Sequence, residues 1–392
     1  MGASEMKKKK IMIITAIRSE YNILHPIIKS IKKHPLLDLK LIVTGAHLTP
    51  SFGSTVKDIE NDGFKIDEKI ESLLDSDSPS GRAKSIAIQL FSLINTVERL
   101  NPDIIIAPFD REEALTAAIV GTYLNVPIIH IGGGDKVEGN VDDYVRHAVT
   151  KLSHLHFPTT KENADRIIKM GEEKWRVHVV GNPGLDKFRT TKKISKKELG
   201  SHLDFDFSDK PLIILLQHPL STEYKKSRGQ IKITLQALKE LEYDTVIIKP
   251  NSDSGSRSVI QEIDNFTTKF DFMKSYVTLE RSIFVNLLRA ADVMVGNSSC
   301  GICEAPLLKL PVVNVGMRQK ERLHGENVIF VSHNKNEIKN SINKALYDKK
   351  FLEKIKNCKN PYGDGRTGER IAKILAKMSY DKNKLLIKKM VY

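Results

Sequence analysis

The stretch Gly296-Asn297-Ser298-Ser299-Cys300-Gly301 sets small and hydroxyl-bearing residues between an apolar run, Ala291-Asp292-Val293-Met294-Val295, and a helix predicted over 302–308 that Leu310-Pro311 ends. Such a loop offers free backbone N–H groups and the positive end of a helix dipole, the chemistry of a phosphate seat. Ser298, Ser299, Cys300 and Gly301 are its candidate donors. Glu304, about one turn into the helix, repels phosphate but accepts hydrogen bonds from ribose hydroxyls. The stretch points to a nucleoside diphosphate.

Further chemistry falls at other predicted strand ends. Asp110, in Ala107-Pro108-Phe109-Asp110-Arg111-Glu112, is either a base or a helix cap paired with Arg111. Asp142 and Asp143 open a predicted helix in which Asp142 with Arg146, Asp143 with His147, and His147 with Lys151 are i,i+4 neighbours. The positive helix end favours the ionised acids, and one of them is placed to serve as general base or to orient another group. Arg18, in Arg18-Ser19-Glu20-Tyr21, is either a bidentate phosphate ligand or a surface arginine at a helix start, where its charge is unfavourable without an anion. His218, in Gln217-His218-Pro219, is either a phosphate donor or a satisfied loop histidine. Asn251 lies in a loop of small polar residues after another strand. His130-Ile131-Gly132-Gly133-Gly134-Asp135 allows close backbone approach to a ligand, but its spacing is not a dinucleotide fingerprint, which argues against NAD.

These motifs need a scaffold that brings strand ends together. Short apolar, β-branched runs at 11–15, 39–43, 103–107, 126–131 and 177–180 alternate with helix-length amphipathic stretches. After a charged region, 187–210, the alternation restarts at 212–216, 245–249, 293–296, 312–315 and 328–331. This is the βαβ pattern of α/β parallel sheets covered on both faces. The expectation is two doubly wound domains, 6–190 and 191–365, followed by a C-terminal helix and basic tail, 366–392. Ligands bind at the carboxyl ends of strands in such sheets.

Composition narrows the partners. The chain has 392 residues, 40% of them hydrophobic, enough for two cores. No apolar run approaches the roughly 18 residues of a membrane span, and the N-terminus has no apolar signal region. Three cysteines suit a reducing cytoplasm. The pair Cys300 and Cys303 is a lone CxxC without further ligands, so packing rather than a metal explains it. The formal charge of +14 comes partly from Lys7–Lys10, read as a solvated tail, and from 382–389. Without an aromatic-interleaved basic stretch, a surface that draws an anionic nucleotide accounts for it better than nucleic acid.

Taken together, Arg18-Ser19-Glu20-Tyr21, Asp142-Asp143 with Arg146-His147-Ala148 and Thr150-Lys151-Leu152, Gln217-His218-Pro219, Gly296 to Gly301, Arg318-Gln319 with Arg322 and Gly325-Glu326-Asn327, and Tyr362-Gly363-Asp364-Gly365 resemble the UDP-N-acetylglucosamine 2-epimerase family. The resemblance runs from Ile11 to about Leu375 and is closest to the hydrolysing branch. It implies a GT-B architecture, two Rossmann-like domains with a nucleotide-sugar cleft between them and the last helix crossing back. It implies loss of the sugar C2 proton, anti elimination of UDP to 2-acetamidoglucal, and water addition giving N-acetylmannosamine, with neither metal nor nicotinamide. Arg18, His218, Ser298, Ser299, Cys300 and Gly301 would stabilise the departing diphosphate, and Glu304 would hold the ribose. Asp110, Asp142 and Asp143 would move protons, and His47, Arg111, Arg146, His147 and Arg318 would line the sugar pocket. A homodimer or larger homo-oligomer, and a role in sialic-acid-type glycan synthesis, are also implied.

The chain departs from the family in two places. Gly132 stands where many members have Glu, and Phe109 stands where they have Gly. Losing a general acid or base costs roughly 10²–10⁴-fold, so a replacement is required. Asp135 is the first candidate and Glu138 the second. Phe109 suggests a pocket reshaped for a deoxy or diacetamido sugar. The other readings are a UDP-diacetamido or GDP-linked substrate, a non-hydrolysing epimerase, a glycosyltransferase of the same architecture, and a nucleotide-sugar binder without catalysis.

Overall fold

Among the described residues twelve short strands pair in parallel, and the central ones, apolar runs such as Ile104–Pro108, Leu212–Leu216 and Val293–Gly296, are buried throughout, as a sheet covered on both faces requires. The computed structural model describes residues 8–50, 54–74, 79–136, 141–250, 255–378 and 381–391. The chain divides into two compact units, residues 1–187 with 362–392 and residues 188–361.

The first unit contains β1 (Lys9–Thr15), α1 (Arg18–Lys33), β2 (Leu37–Thr44), α2 (Val56–Asn61), β3 (Glu68–Ile70), α3 (Pro79–Leu100), β4 (Ile104–Pro108), α4 (Glu112–Tyr123), β5 (Ile128–Ile131), α5 (Val141–Leu152), β6 (Leu155–Phe157) and α6 (Lys161–Lys169). Its parallel sheet runs β3-β2-β1-β4-β5-β6. After α7 (Lys187–Thr190), which spans the boundary, the second unit contains α8 (Lys196–Leu203), β7 (Leu212–Leu216), α9 (Ser227–Leu241), β8 (Asp244–Ile248), α10 (Ser256–Thr267), β9 (Met273–Tyr276), α11 (Arg281–Ala290), β10 (Val293–Gly296), α12 (Cys300–Cys303), β11 (Val312–Val315), β12 (Val328–Val331), α13 (Lys335–Tyr347) and α14 (Lys349–Asn357). Its sheet runs β12-β11-β10-β7-β8-β9. Each order reverses once, between β1 and β4 and between β7 and β10, so each unit has the switch point at which doubly wound sheets take ligands.

The chain then returns to the first unit as α15 (Thr367–Lys377) and α16 (Lys382–Leu386). Ile371, Ala372 and Leu375 join Leu24, Ile27 and Ile28 of α1 in one core cluster. Asp186 accepts from the Thr367 and Gly368 amides at 2.9 and 2.7 Å, and Asn182 N–H donates to the Tyr362 carbonyl. The Tyr362-Gly363-Asp364-Gly365 motif thus serves to dock α15.

Several expectations change. Of 177–180, only Val177 pairs, in an isolated bridge to His156. The helix expected at 302–308 is α12 followed by a 3-10 turn, Ala305–Leu308, because Pro306 cannot continue the ladder. Lys9 and Lys10 are not a solvated tail. Lys9 Nζ donates to the carbonyls of Leu375 and Met378, and Lys10 Nζ to that of Leu100. Residues 382–388 are anchored too. Buried Arg176 donates to the carbonyls of Leu385 and Ile387, and Lys388 pairs with buried Glu172 at 2.8 Å. No described helix is long and apolar enough to cross a membrane, and no described cluster of His, Cys, Asp or Glu could hold a metal ion.

Candidate active site

At the first switch point, β4 ends in Pro108 and the chain turns through Phe109 at φ +57°, a left-handed conformation that an aromatic residue adopts only under constraint. The next residue, Asp110, receives a hydrogen bond from Arg146 Nη2. Burial pushes the Asp110 carboxyl above its ordinary range, with Asp142 adding to the rise and Arg146 opposing it. Arg146 is itself buried, and its Nε and Nη1 have no partner among the described residues. Asp143 and His147 lie 3.6 Å apart on the same helix. The structure therefore brings Asp110, Asp142 and Arg146 together. The expected i,i+4 link from Asp142 is not the arginine's main one.

The glycine run is packed against the protein itself. A β-carbon on Gly132 would stand 2.7 Å from the Phe109 ring, one on Gly133 2.8 Å from His130 Nδ1, and one on Gly134 2.3 Å from the Asn163 carbonyl. Arg166 also donates to the Gly134 carbonyl. These close approaches are to the chain itself, and they fix the run that leads to Asp135. Asp135 is exposed and accepts from the Lys136 amide at 3.0 Å. Glu138, the other candidate replacement, lies outside the described residues.

A second set of acids surrounds the end of β1. Arg111 pairs with Glu113 at 3.0 Å. Buried Glu20 accepts from the Ala16 amide at 3.0 Å, and its carboxyl is pushed up to about 8 by burial and then by Glu113. Composition carries no hint of this pair, although Glu20 sits inside the Arg18-Ser19-Glu20-Tyr21 motif. His47 is fully buried, with Nε2 3.3 Å from Thr15 Oγ1 and Nδ1 2.7 Å from Thr55 Oγ1, and burial pushes it down to about 4. It is a packed, neutral histidine between Thr15 and Thr55. Arg18 is exposed at the start of α1, 3.2 Å from Asp58, so the anion it needs is present within the chain.

At the second switch point, Asn297 ties two loops together. Its Oδ1 accepts from the His218 amide at 2.7 Å, and its Nδ2 donates to the His218 carbonyl at 2.8 Å. Arg318 and Gln319 both donate to the Asn297 carbonyl at 3.0 Å. Ser298 and Ser299 follow, half-buried, and Ser298 Oγ accepts from the Cys300 amide at 3.3 Å. Burial pushes the Cys300 thiol well up, which removes it as a nucleophile. The Glu304 carboxyl is raised by burial, with Arg281 opposing. Asn297 is not among the residues that sequence reasoning selects, although an amide between two strand ends is a signal for such a clamp. Asn251 lies outside the described residues.

Comparison with known proteins identifies the family. The family model described as UDP-N-acetylglucosamine 2-epimerase matches residues 29–376, and the chain belongs to that family. It is 35% identical to a UDP-N,N'-diacetylbacillosamine 2-epimerase (hydrolyzing) of Legionella pneumophila, over 94% of this chain and 95% of the relative. It is 31% identical to a UDP-N-acetylglucosamine 2-epimerase of Neisseria meningitidis, over 94% and 95%. A crystal structure of UDP-GlcNAc 2-epimerase from Neisseria meningitidis, bound to UDP-GlcNAc, superposes with a TM-score of 0.77 at 21% identity, covering 94% of this chain and all of that one. The two Rossmann-like units are thus the GT-B-like fold of these enzymes.

Proposed function

We propose that the protein is a hydrolysing 2-epimerase acting on a UDP-linked diacetamido-deoxy sugar of the diacetylbacillosamine type. The observation that carries the activity is the cluster of Asp110, Asp142 and Arg146 at the first switch point. A carboxyl raised by burial, beside a cation and a second acid, suits removal of the weakly acidic C2 proton. In this reading Asp110 takes the proton. Asp142 and Asp143 handle its return, and exposed Asp135 activates the water that adds at C1.

The second unit is the proposed seat of the diphosphate. His218, Ser298, Ser299 and the amides of Cys300 and Gly301 meet its oxygens, Arg318 adds charge, and Glu304 accepts from the ribose hydroxyls. Arg18, exposed beside Asp58, is a further proposed phosphate ligand. Arg111 and His147 border the sugar. Asn251 is a further nucleotide ligand proposed from the sequence.

Phe109 supports the choice of sugar. Its ring covers Gly132, so an apolar surface stands where many family members carry a carboxylate. A sugar whose C6 is a methyl group loses less on desolvation against such a surface than one with a hydroxyl. The name of the 35%-identical relative points the same way. The 31%-identical relative favours a second reading, plain UDP-N-acetylglucosamine giving N-acetylmannosamine.

Turnover in D₂O on a panel of UDP- and GDP-linked acetamido sugars tests all of this. Free nucleotide together with solvent deuterium at C2 is the expected result, fastest with the diacetamido substrate. Nucleotide release without deuterium would point to a transferase or simple hydrolase and end the elimination mechanism. A higher kcat/KM on UDP-N-acetylglucosamine would replace the first sugar by the second.

A further inference from the structure

His130 is the only polar side chain in β5, Ile128–Ile131, and it is fully buried. Its Nε2 lies 2.7 Å from the Phe109 carbonyl, which can only accept, so Nε2 carries the proton. Its Nδ1 lies 3.0 Å from Thr150 Oγ1, whose single proton is shared between Nδ1 and the Arg146 carbonyl. Burial pushes the imidazole down to about 3, the Phe109 carbonyl opposes the fall and His156, Arg146 and His147 add to it, so the ring is neutral near pH 7.

Both partners lead to the reacting acid. The Phe109 carbonyl belongs to the peptide that joins Phe109 to Asp110, and the Phe109 amide donates to the Ile131 carbonyl at 2.8 Å. The backbone around a strained φ of +57° is therefore held by β5 at both its N–H and its C=O. Thr150 lies one helical turn after Arg146, and its hydroxyl is 3.0 Å from the Arg146 carbonyl. The imidazole bridges the segment that carries Asp110 and the helix that carries Arg146. Gly133 leaves room for the bridge, since a β-carbon there would be 2.8 Å from His130 Nδ1 and 3.0 Å from Thr150 Oγ1.

We propose that His130 is a positioning residue, clamping the Phe109 carbonyl to Thr150 and thereby holding Asp110 against Arg146. It touches neither substrate nor the transferred proton. Without the clamp, Phe109 relaxes from its left-handed conformation and the carboxylate swings away from the guanidinium. Asp110 is then faced by Asp142 without its cation.

The inference rests on Asp110 as the acid–base group of the proposed epimerase, and its test separates the two. In the full chain with ¹³C-labelled aspartate carboxyls, the Asp110 signal is assigned by its loss in Asp110→Asn and titrated in the parent, His130→Gln and His130→Leu. Gln keeps an N–H donor near the place of Nε2, and Leu keeps only bulk. The Asp110 midpoint should rise in His130→Leu, because Arg146 no longer favours the ionised form, and should return toward the parent in His130→Gln. On the sugar substrate, kcat should fall about 10²-fold in the Leu variant with KM little changed, the cost of a misplacement near 1 Å.

An unchanged Asp110 titration in folded His130→Leu overturns the positioning role whatever the substrate. No turnover by the parent on any nucleotide-linked acetamido sugar overturns the epimerase reading and leaves the titration standing. If His130→Leu does not fold, Thr150→Val removes only the hydroxyl end of the bridge. It should raise the midpoint by less, and no rise there overturns the proposal.

Discussion

Arg146 reaches back 36 residues along the sequence to donate to Asp110, while Asp142, on the same helix as the arginine, acts on that carboxyl with the opposite sign. The ionisation of Asp110 is thus balanced between one cation and one anion in a partly buried place. As the proposed base, Asp110 would work when deprotonated, so the rate should fall as pH drops through its pKa. Arg146→Gln removes the cation and should move the acidic limb of kcat/KM to higher pH, further than His130→Leu does. Asp142→Asn should move it to lower pH. A pH profile that shifts the same way in both variants would contradict the balance. Asp110→Asn should lose about 10²–10⁴-fold at every pH.

Glu20 gives a stability prediction with a definite sign. Its folded pKa, about 8, lies above the ordinary 4.5 because the carboxyl is buried and then because Glu113 is near. The folded protein therefore holds a proton that the unfolded chain releases between those values. The associated stability is fully present below 4.5 and is lost as pH rises toward 8. Glu20→Gln keeps an oxygen for the Ala16 amide but cannot ionise. Its unfolding midpoint should match the parent at pH 5 and exceed it at pH 9, measured by thermal unfolding at both. A variant that lost stability equally at both values would mean that the ionised carboxylate is needed.

Asn297 offers a test in the second unit. Its side chain donates to the His218 carbonyl and accepts from the His218 amide. Asn297→Ala removes both bonds. Asn297→Asp keeps the acceptor but sets an anionic oxygen against a carbonyl, and should be the worse of the two. The difference should be on the order of 1–3 kcal/mol, the cost of leaving a buried polar group unmatched. UDP titration calorimetry should show affinity falling in the same order, since the loops of β7 and β10 are the proposed phosphate seat. Equal loss in both variants would mean that the clamp acts only through its bulk.

Much of this fold is legible in the amino-acid order, and the reason is physical. Buried parallel strands such as β1, β4, β7 and β10 are continuous apolar runs, and the acids and amides that follow them stand out at their ends. The short strands β3, β6 and β9 mix polar and apolar residues over three or four positions and carry no such signal. Local spacing links Arg146 to Asp142. Its bond to Asp110 depends on where β4 and α5 meet, which no short-range pattern encodes. The glycine run is legible only in part for a related reason, because glycine reports a close approach without saying what approaches. Here it is Phe109, His130 and Asn163.

Phe109 and Gly132 are one structural unit. Gly132→Ala places a β-carbon 2.7 Å from the Phe109 ring at φ +77°, and should cost about 1–3 kcal/mol. Phe109→Gly relieves the left-handed φ but removes the ring from the space above Gly132. In the double variant the added carbon meets no ring, so the two changes should not add. A four-cornered denaturation cycle should return a favourable coupling of about 0.5–3 kcal/mol. The sugar preference should follow the same pair. Phe109→Gly with Gly132→Glu replaces the apolar surface by a carboxylate, and should lower kcat/KM for the diacetamido-deoxy substrate relative to UDP-N-acetylglucosamine by roughly tenfold or more, the range for a methyl-sized difference in a pocket. Additive stabilities would show that the ring and the glycine are independent. An unchanged substrate ratio with the coupling intact would show that the pair shapes the turn into Asp110 without facing the sugar.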